Sequence, residues 1–263
     1  MPFPETERVI YRKNPLNKVI CQLRYPPILR IDSEVPSNFQ DVIRGAFPLY
    51  NEKVELQQET AMGLKSQFPP ELIKQLTKTS VNKNHEFSSE DGIWKINLTR
   101  TFVSISTSRY TRWEDFARMF QPSIDALLDI YKPPFFTRAG LRYVDIFERS
   151  RLGLADCEWT ELLKPHFIGL LSTVVGSNIK HCENVYEISL NDSRSMVRIA
   201  TSFVQNAQSK EQCYMVDSDL YLPSRVKPEE LIHKLDFLHE RATRLIQWII
   251  TEKLHNTMEP EKI

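Results

Sequence analysis

The feature that most constrains the fold is a short motif that occurs twice, once near the N-terminus and once near the midpoint. Leu-Arg-Tyr stands at residues 23–25 and again at residues 141–143, a separation of 118 residues in a chain of 263. In both copies two apolar residues stand three and four places after the tyrosine. Apolar and polar residues alternate around each copy, which is typical of β-strands. The repetition predicts a duplicated architecture in which these two strands occupy equivalent places.

The order of predicted elements is the same in both halves: a strand, a helix, three strands and a helix. In the first half these are a strand at 19–25, a helix at 37–47, strands at 85–89, 93–99 and 102–108, and a helix at 113–131. In the second half they are a strand at 136–147, a helix at 158–171, strands at 184–190, 196–203 and 214–222, and a helix at 228–254. The first half also contains a predicted strand at 54–58 and an amphipathic segment at 70–76.

These elements predict an α+β fold, with the chain divided into an N-terminal half, 1–133, and a C-terminal half, 134–263. A mostly antiparallel sheet needs one apolar face covered, and helices on that face leave the opposite face open. Two such halves joined edge to edge are expected to form one long curved sheet with a pseudo-twofold axis between them. In its order of elements this arrangement is similar to the saddle-shaped TATA-binding type of domain, although each half is longer here.

Local signals predict where the helices begin and break. Ser37 is a predicted N-cap, and Thr111 followed by Glu114 fits a capping box in front of the next helix. Pro122 is expected to kink or split that helix, because proline removes a backbone hydrogen bond. Pro228 suits the first position of the last helix, whose apolar residues alternate steps of four and three.

Strand alternation gathers polar side chains on the face away from the apolar residues. Guanidinium groups and hydroxyls on such a face suit an anionic or hydrogen-bonding partner. The candidate binding residues are Gln22, Arg24, Ser104, Ser106, Arg138 and Arg142. The alternative is that these are solvated strand residues, with the arginines bridging neighbouring acids such as Asp145 or Asp217.

The sequence contains no pattern that is typical of a cofactor, metal or catalytic site. Only 7 glycines occur, without a Gly-rich phosphate-binding motif or a Gly-x-Ser-x-Gly motif. The 6 histidines are scattered, and the 4 cysteines lie far apart, as is typical of reduced thiols rather than disulfides or a zinc site. We therefore expect no cofactor, no metal and a non-enzymatic function.

Charge and hydropathy restrict the class of partner. The 34 basic and 34 acidic residues give a formal net charge of zero, which makes a nucleic acid a less favoured partner than a protein. No apolar run reaches the roughly 18–20 residues of a membrane span, and the N-terminus lacks an apolar signal segment, so we expect a cytoplasmic protein. A second apolar row on the last helix, Ile232, Ile246 and Ile250 with Trp248 nearby, suits a homodimer contact.

Two stretches resemble a known group of proteins. Residues 14–29, Asn-Pro-Leu-Asn-Lys-Val-Ile-Cys-Gln-Leu-Arg-Tyr-Pro-Pro-Ile-Leu, resemble the opening of a sporadically distributed prokaryotic family of uncharacterised proteins about this long. Gly-Leu-Arg-Tyr at 140–143 is similar to the middle of that family. The resemblance spans most of the chain and implies a prokaryotic cytosolic protein, but no catalytic residue. A sporadic family of this kind is expected in defence or toxin-control loci.

A repeated fold without a catalytic constellation predicts a recognition protein. In the leading hypothesis the open sheet face presents its polar residues to a protein or, as the less favoured partner, a nucleic acid. The alternative is a sensor or enzyme that binds a small anionic ligand between the halves through Arg24, Arg138 and Arg142.

Overall fold

The computed structural model describes residues 2–55, 82–190 and 194–262, and eleven strands lie within them. The strands are β1 (Val9–Tyr11), β2 (Leu16–Arg24), β3 (Leu49–Glu55), β4 (Asn82–Ser88), β5 (Trp94–Leu98), β6 (Phe102–Thr107), β7 (Arg138–Phe147), β8 (Glu183–Ser189), β9 (Met196–Gln205), β10 (Gln212–Leu222) and β11 (Pro260–Lys262). Nine of them form one sheet in the order β3-β4-β5-β6-β2-β7-β10-β9-β8, with every neighbouring pair antiparallel. The predicted α+β fold with a mostly antiparallel sheet is confirmed.

The centre of the sheet is the antiparallel pair β2 and β7, the two strands that carry the repeated motif. Gln22 lies opposite Gly140 and Arg24 lies opposite Arg138. Outward from this pair the strands follow the same order on both sides, β6, β5, β4 on one and β10, β9, β8 on the other. This shared order is what a duplication would produce, and the duplication itself stays a prediction. The pairing of β2 with β7 makes the sheet continuous across the expected boundary at 133/134.

Strand β3 is an addition to the first half, which therefore contains four strands after its helices instead of the expected three. It pairs with β4 at the edge of the sheet. The predicted strand at 54–58 overlaps only the end of β3, which begins at Leu49. Residues 56–58 and the amphipathic segment predicted at 70–76 lie outside the described residues.

Helices cover one face of the sheet. The α-helices in the described ranges are α1 (Arg30–Ser33), α2 (Ser37–Ile43), α3 (Trp113–Ala126), α4 (Trp159–Leu162), α5 (Pro165–Ile168), α6 (Leu231–Ile249) and α7 (Glu252–Thr257). The core forms where these helices pack on the apolar strand residues, and Leu23 and Leu141 are both fully buried there. The predicted alternation of β2 is confirmed, because Val19, Cys21 and Leu23 are buried while Arg24 is exposed.

Prolines lie in two of the predicted helices, with different outcomes. Pro122 does not split α3, which continues to Ala126 and then widens into a π-helix, Leu127–Tyr131. Pro122 is exposed, so water can satisfy the carbonyl that lacks a donor. The continuous helix predicted at 158–171 is wrong. The chain there forms α4, then α5 with Pro165 at its first position, and then a 3-10 helix that begins at Gly169.

The two predicted N-caps are also wrong. Helix α2 already includes Ser37, and the residue at its N-cap position, Pro36, makes no side-chain cap. Helix α3 has Arg112 rather than Thr111 at its N-cap position, again without a side-chain cap. Glu114 binds Arg8 in place of a backbone amide, with 2.7 Å between Arg8 Nη1 and Glu114 Oε1.

The N-terminal segment before β2 packs on the helical layer. Its strand β1 pairs with β11 as a separate two-stranded sheet, and Phe3 packs against Trp248 of α6 with 5.2 Å between ring centroids. This packing covers Trp248 of the apolar row proposed for a homodimer. Ile250 is only 2% exposed, whereas Ile232 is 40% exposed. None of the helices in the described ranges is long and apolar enough to cross a membrane.

Candidate functional site

The sheet surface opposite the helices contains a depression over β2, β7, β10 and β9, which we call the arginine depression. Alternation places Gln22 and Arg24 on this surface from β2, and Arg138 and Arg142 from β7. All four predicted residues line the depression, so the structure brings them together. Arg198 of β9 completes its ring of basic side chains.

Two of these arginines form ion pairs with acids on the neighbouring strand β10. Arg138 Nη2 donates to both carboxylate oxygens of Asp219 at 2.8 Å, and its guanidinium lies 4.6 Å from the centroid of the Tyr221 ring. Arg142 Nε donates to Asp217 at 2.7 Å, and this hydrogen bond raises the pKa of Arg142. The sequence alternative of arginines bridging neighbouring acids is therefore correct for Arg142 and Asp217 and wrong for Asp145, which lies on the helix-covered face.

The other two arginines have no acidic partner within the part of the chain that the structure describes. Arg24 is exposed, and its Nε donates only to Gln22 Oε1, at 2.9 Å. Arg198 lies opposite Asp219 in the β9–β10 register and opposite Glu187 in the β8–β9 register, but Asp219 accepts from Arg138 and Glu187 accepts from Tyr221. The arginine depression therefore keeps two guanidinium groups that are free to bind an anion.

Gly140 explains how Arg138 reaches its position. A Cβ atom at residue 140 would lie 2.6 Å from Arg138 Nη1, closer than two such atoms can approach. Because Gly140 has no side chain, the Arg138 guanidinium can fold back over the strand towards Asp219. Gly140 therefore shapes the site as well as the strand.

The two predicted serines lie on the same surface but contribute less to it. Ser104 lies opposite Gln22 and Ser106 lies opposite Ile20 in the β2–β6 register. They are only 6% and 7% exposed, respectively. Neither serine lines the arginine depression, so they stay predicted contacts at its margin.

Three residues of the site were missed by the sequence reasoning: Arg198, Asp219 and Tyr221. All three lie on alternate positions of predicted strands, so their shared face was readable from the sequence. What was missing was the strand order, which places β10 and β9 beside β7. The Tyr221 hydroxyl in turn donates to Glu187 of β8, which fixes the tyrosine beneath Arg138.

The arginine depression is suited to binding a planar anion. Guanidinium groups remain charged at all physiological pH values and match planar carboxylates or phosphates with two parallel hydrogen bonds. Among the described residues no group of three His, Cys, Asp or Glu side chains is placed to hold a metal ion. All four cysteines are free thiols, and burial raises the pKa of Cys21.

Comparison of the sequence with known proteins finds no match. The chain matches no protein-family model, and no curated protein sequence is significantly similar to it. The resemblance of residues 14–29 to a prokaryotic family therefore stays a prediction. The fold and the site define an α+β protein with an arginine-lined sheet surface.

Proposed function

We propose that this chain is a non-enzymatic recognition protein of the prokaryotic cytosol, which binds an acidic segment of a protein partner in the arginine depression. The observation that carries the proposal is the unequal charge of the depression. Four arginines and one aspartate line it, and Arg24 and Arg198 have no carboxylate partner in the described ranges. A carboxylate from a partner can fill the positions that no internal acid occupies.

A protein is favoured over a nucleic acid because the basic surface is small and bordered by acids. Asp217 and Asp219 belong to the same surface, and Glu187 follows on β8. A nucleic acid needs a continuous basic track for its evenly spaced phosphates, whereas one or two carboxylates fit a local group of arginines. The formal net charge of zero points the same way.

The test compares three defined anions by fluorescence anisotropy and calorimetry: a labelled oligoglutamate peptide, a labelled oligothymidine and inorganic pyrophosphate. We expect the peptide to bind, and the double variant Arg24→Glu/Arg198→Glu to bind it at least about tenfold more weakly, as the loss of charged hydrogen bonds predicts. The control is Arg118→Glu, which reverses an exposed charge on α3 at the helical face. It should leave binding unchanged.

The alternative, a sensor or enzyme for a small anionic ligand, uses Arg24, Arg138 and Arg142, because all three line the same depression. Tight binding of pyrophosphate without binding of the peptide would favour this alternative. Preferential binding of oligothymidine, with a steep loss of affinity at higher salt, would assign the surface to nucleic acid. If none of the three anions binds, anion recognition by this surface is wrong.

A further inference from the structure

A second cavity lies on the helix-covered side of the sheet, away from the arginine depression. Its floor is formed by Tyr143 and Asp145 of β7 and by Ser218 of β10. The segment 110–113 in front of α3 and one side of α6 form its walls, and residues 8–16 of the N-terminal segment close it. Its volume is about 90 Å³, enough for several water molecules or a small organic molecule.

The carboxylate of Asp145 is the unusual group in this cavity. Asp145 is only 5% exposed, and no described residue donates a hydrogen bond to its side chain. Its neighbours across the sheet are Val216 and Leu16, which carry no donor in their side chains. A buried carboxylate without a donor is costly unless it is protonated or meets a group of opposite charge.

Aromatic rings surround the space above this carboxylate. Tyr110 and Tyr143 meet edge to face with 6.0 Å between ring centroids. Trp113 stacks on His239 with 5.1 Å between centroids, and Tyr11 of β1 lines the cavity from the N-terminal segment. Both faces of Trp113 are covered, because Phe116 also stacks on it with 5.9 Å between centroids. The rings that can attract a cation through their quadrupole are therefore the tyrosines. The cavity therefore combines one acid with several rings that favour positive charge.

Within the described parts of the chain, no cationic side chain pairs with this acid. Arg8 at the rim pairs with Glu114 at 2.7 Å, and Arg112 pairs with Asp115 at 2.8 Å. His239 is neutral, because burial and the nearby Arg8 lower its pKa to about 4. Its Nδ1 lies 3.0 Å from the Tyr143 hydroxyl, and its Nε2 has no hydrogen-bond partner among the described residues.

We propose that this cavity binds a small organic ammonium ion, such as a protonated primary alkylamine. The ammonium group donates to the carboxylate of Asp145, and the aromatic rings contact the carbon atoms beside it. An ammonium carries three donors, so one can also reach an oxygen such as Ser218 Oγ on the floor. An anionic ligand would instead meet Asp145 with like charge. The small volume restricts the ligand to a few non-hydrogen atoms.

The ionisation of Asp145 should make this binding depend on pH. Burial, with a smaller effect from nearby Asp217, raises the pKa of Asp145 to about 7. The other acidic groups that face the cavity, Tyr11, Tyr110 and Tyr143, stay neutral because burial raises the pKa of each further. An alkylammonium keeps its proton up to a pH of about 10. Binding should therefore strengthen as the pH rises through 7 and the carboxyl group loses its proton.

The test is calorimetric titration of the full chain with propylammonium chloride, with 1-propanol as the uncharged probe of the same shape. We expect propylammonium to bind at pH 8 and propanol to bind at least about tenfold more weakly. Asp145→Asn should weaken propylammonium binding by at least about tenfold, because an amide cannot pair with the charge. Asp156→Asn, the same change at an exposed position, should have no effect.

A second measurement needs no variant and remains decisive if Asp145→Asn does not fold. The wild-type affinity for propylammonium should be about tenfold lower at pH 6 than at pH 8, since the ionised fraction of a group with a pKa of about 7 changes by that factor. The proposal is overturned if propylammonium does not bind at either pH, if propanol binds equally well, or if affinity ignores the pH. These outcomes leave the arginine depression untouched, because the two sites lie on opposite faces of the sheet.

Discussion

Replacing Asp145 by asparagine should stabilise the protein, and the gain should depend on pH. The variant keeps the shape of the side chain and removes its ability to ionise. In the folded chain the carboxyl is only 5% exposed, and burial raises its pKa from 3.8 to about 7. That difference of about 3 pH units corresponds to about 4 kcal/mol at about 1.4 kcal/mol per unit.

The sign follows from which state holds the proton. Below pH 3.8 the carboxyl is protonated in both states and costs nothing. Between pH 3.8 and about 7 the unfolded chain has lost the proton that the folded chain still holds, so the wild type loses stability as the pH rises. Above about pH 7 the carboxyl is ionised in both the folded and the unfolded state, and the full loss in free energy of unfolding remains. The gain from Asp145→Asn should therefore be near zero at pH 4 and reach about 4 kcal/mol above pH 7.

His239 makes the comparison with wild type essential. Its pKa is lowered from 6.5 to about 4, so between these values the unfolded chain binds a proton that the folded chain does not. This raises stability with pH over nearly the range in which Asp145 lowers it. The two slopes largely cancel in the wild type, and a flat pH profile would conceal both. Only the difference between variant and wild type isolates Asp145.

The assay is urea unfolding, followed by tryptophan fluorescence at several pH values from 4 to 8, with the free energy of unfolding obtained by linear extrapolation. Asp156→Asn serves as the exposed control and should stay within about 0.5 kcal/mol of wild type throughout. A constant difference between Asp145→Asn and wild type, or a difference that shrinks as the pH rises, would refute a buried carboxyl with a raised pKa.

Three further changes test other parts of the structure. The free energy of unfolding of His239→Gln should rise by about 3 kcal/mol relative to wild type as the pH falls from 6.5 to 4, because glutamine takes up no proton. Equal pH profiles of the two proteins in urea unfolding would contradict a buried neutral histidine. Gly140→Ala should displace the Arg138 guanidinium from Asp219 and so shift the NMR resonance of Arg138 Nε, while the free energy of unfolding falls by less than about 1.5 kcal/mol. An unchanged resonance would show that the arginine does not lie against residue 140. Leu141→Ala, in the central pair of strands, should lower the free energy of unfolding by about 2–5 kcal/mol. Val185→Ala, at an exposed position, should lower it by less than about 0.5 kcal/mol.

Local patterns made much of the sheet predictable. Period-two alternation in β2 and β7 placed the leucines and arginines of the repeated motif on opposite faces, as the structure has them, because every second side chain of a half-buried strand faces the core. That was enough to place Arg24 and Arg142 on one surface. The sequence pattern gave no indication of the helix-covered cavity. Asp145 alternates with apolar residues of the core face, and only the tertiary structure shows that a cavity lies above it.

The errors arose where distant segments override local preference. The helix predicted at 158–171 breaks partly because Leu163 pairs with Ile250 in an isolated bridge and Thr251 Oγ1 donates to Glu161 O. Glu114 fits a capping box in sequence, yet it binds Arg8 from the N-terminal segment. Neither partner lies within reach of a sequence window, so propensity alone gives the wrong answer.

The pairing of β2 with β7 has a consequence for synthesis on the ribosome. The residues at the end of β2 pair with the start of β7 at Arg138, which is synthesised more than 110 residues later. At about 5–20 residues per second this interval lasts on the order of 10 seconds. Throughout it at least one edge of β2 has no hydrogen-bond partner, and such edges invite pairing with other chains. We therefore expect polypeptides arrested before residue 138 to self-associate in sedimentation experiments, and a monodisperse monomer would show that another segment shields this edge.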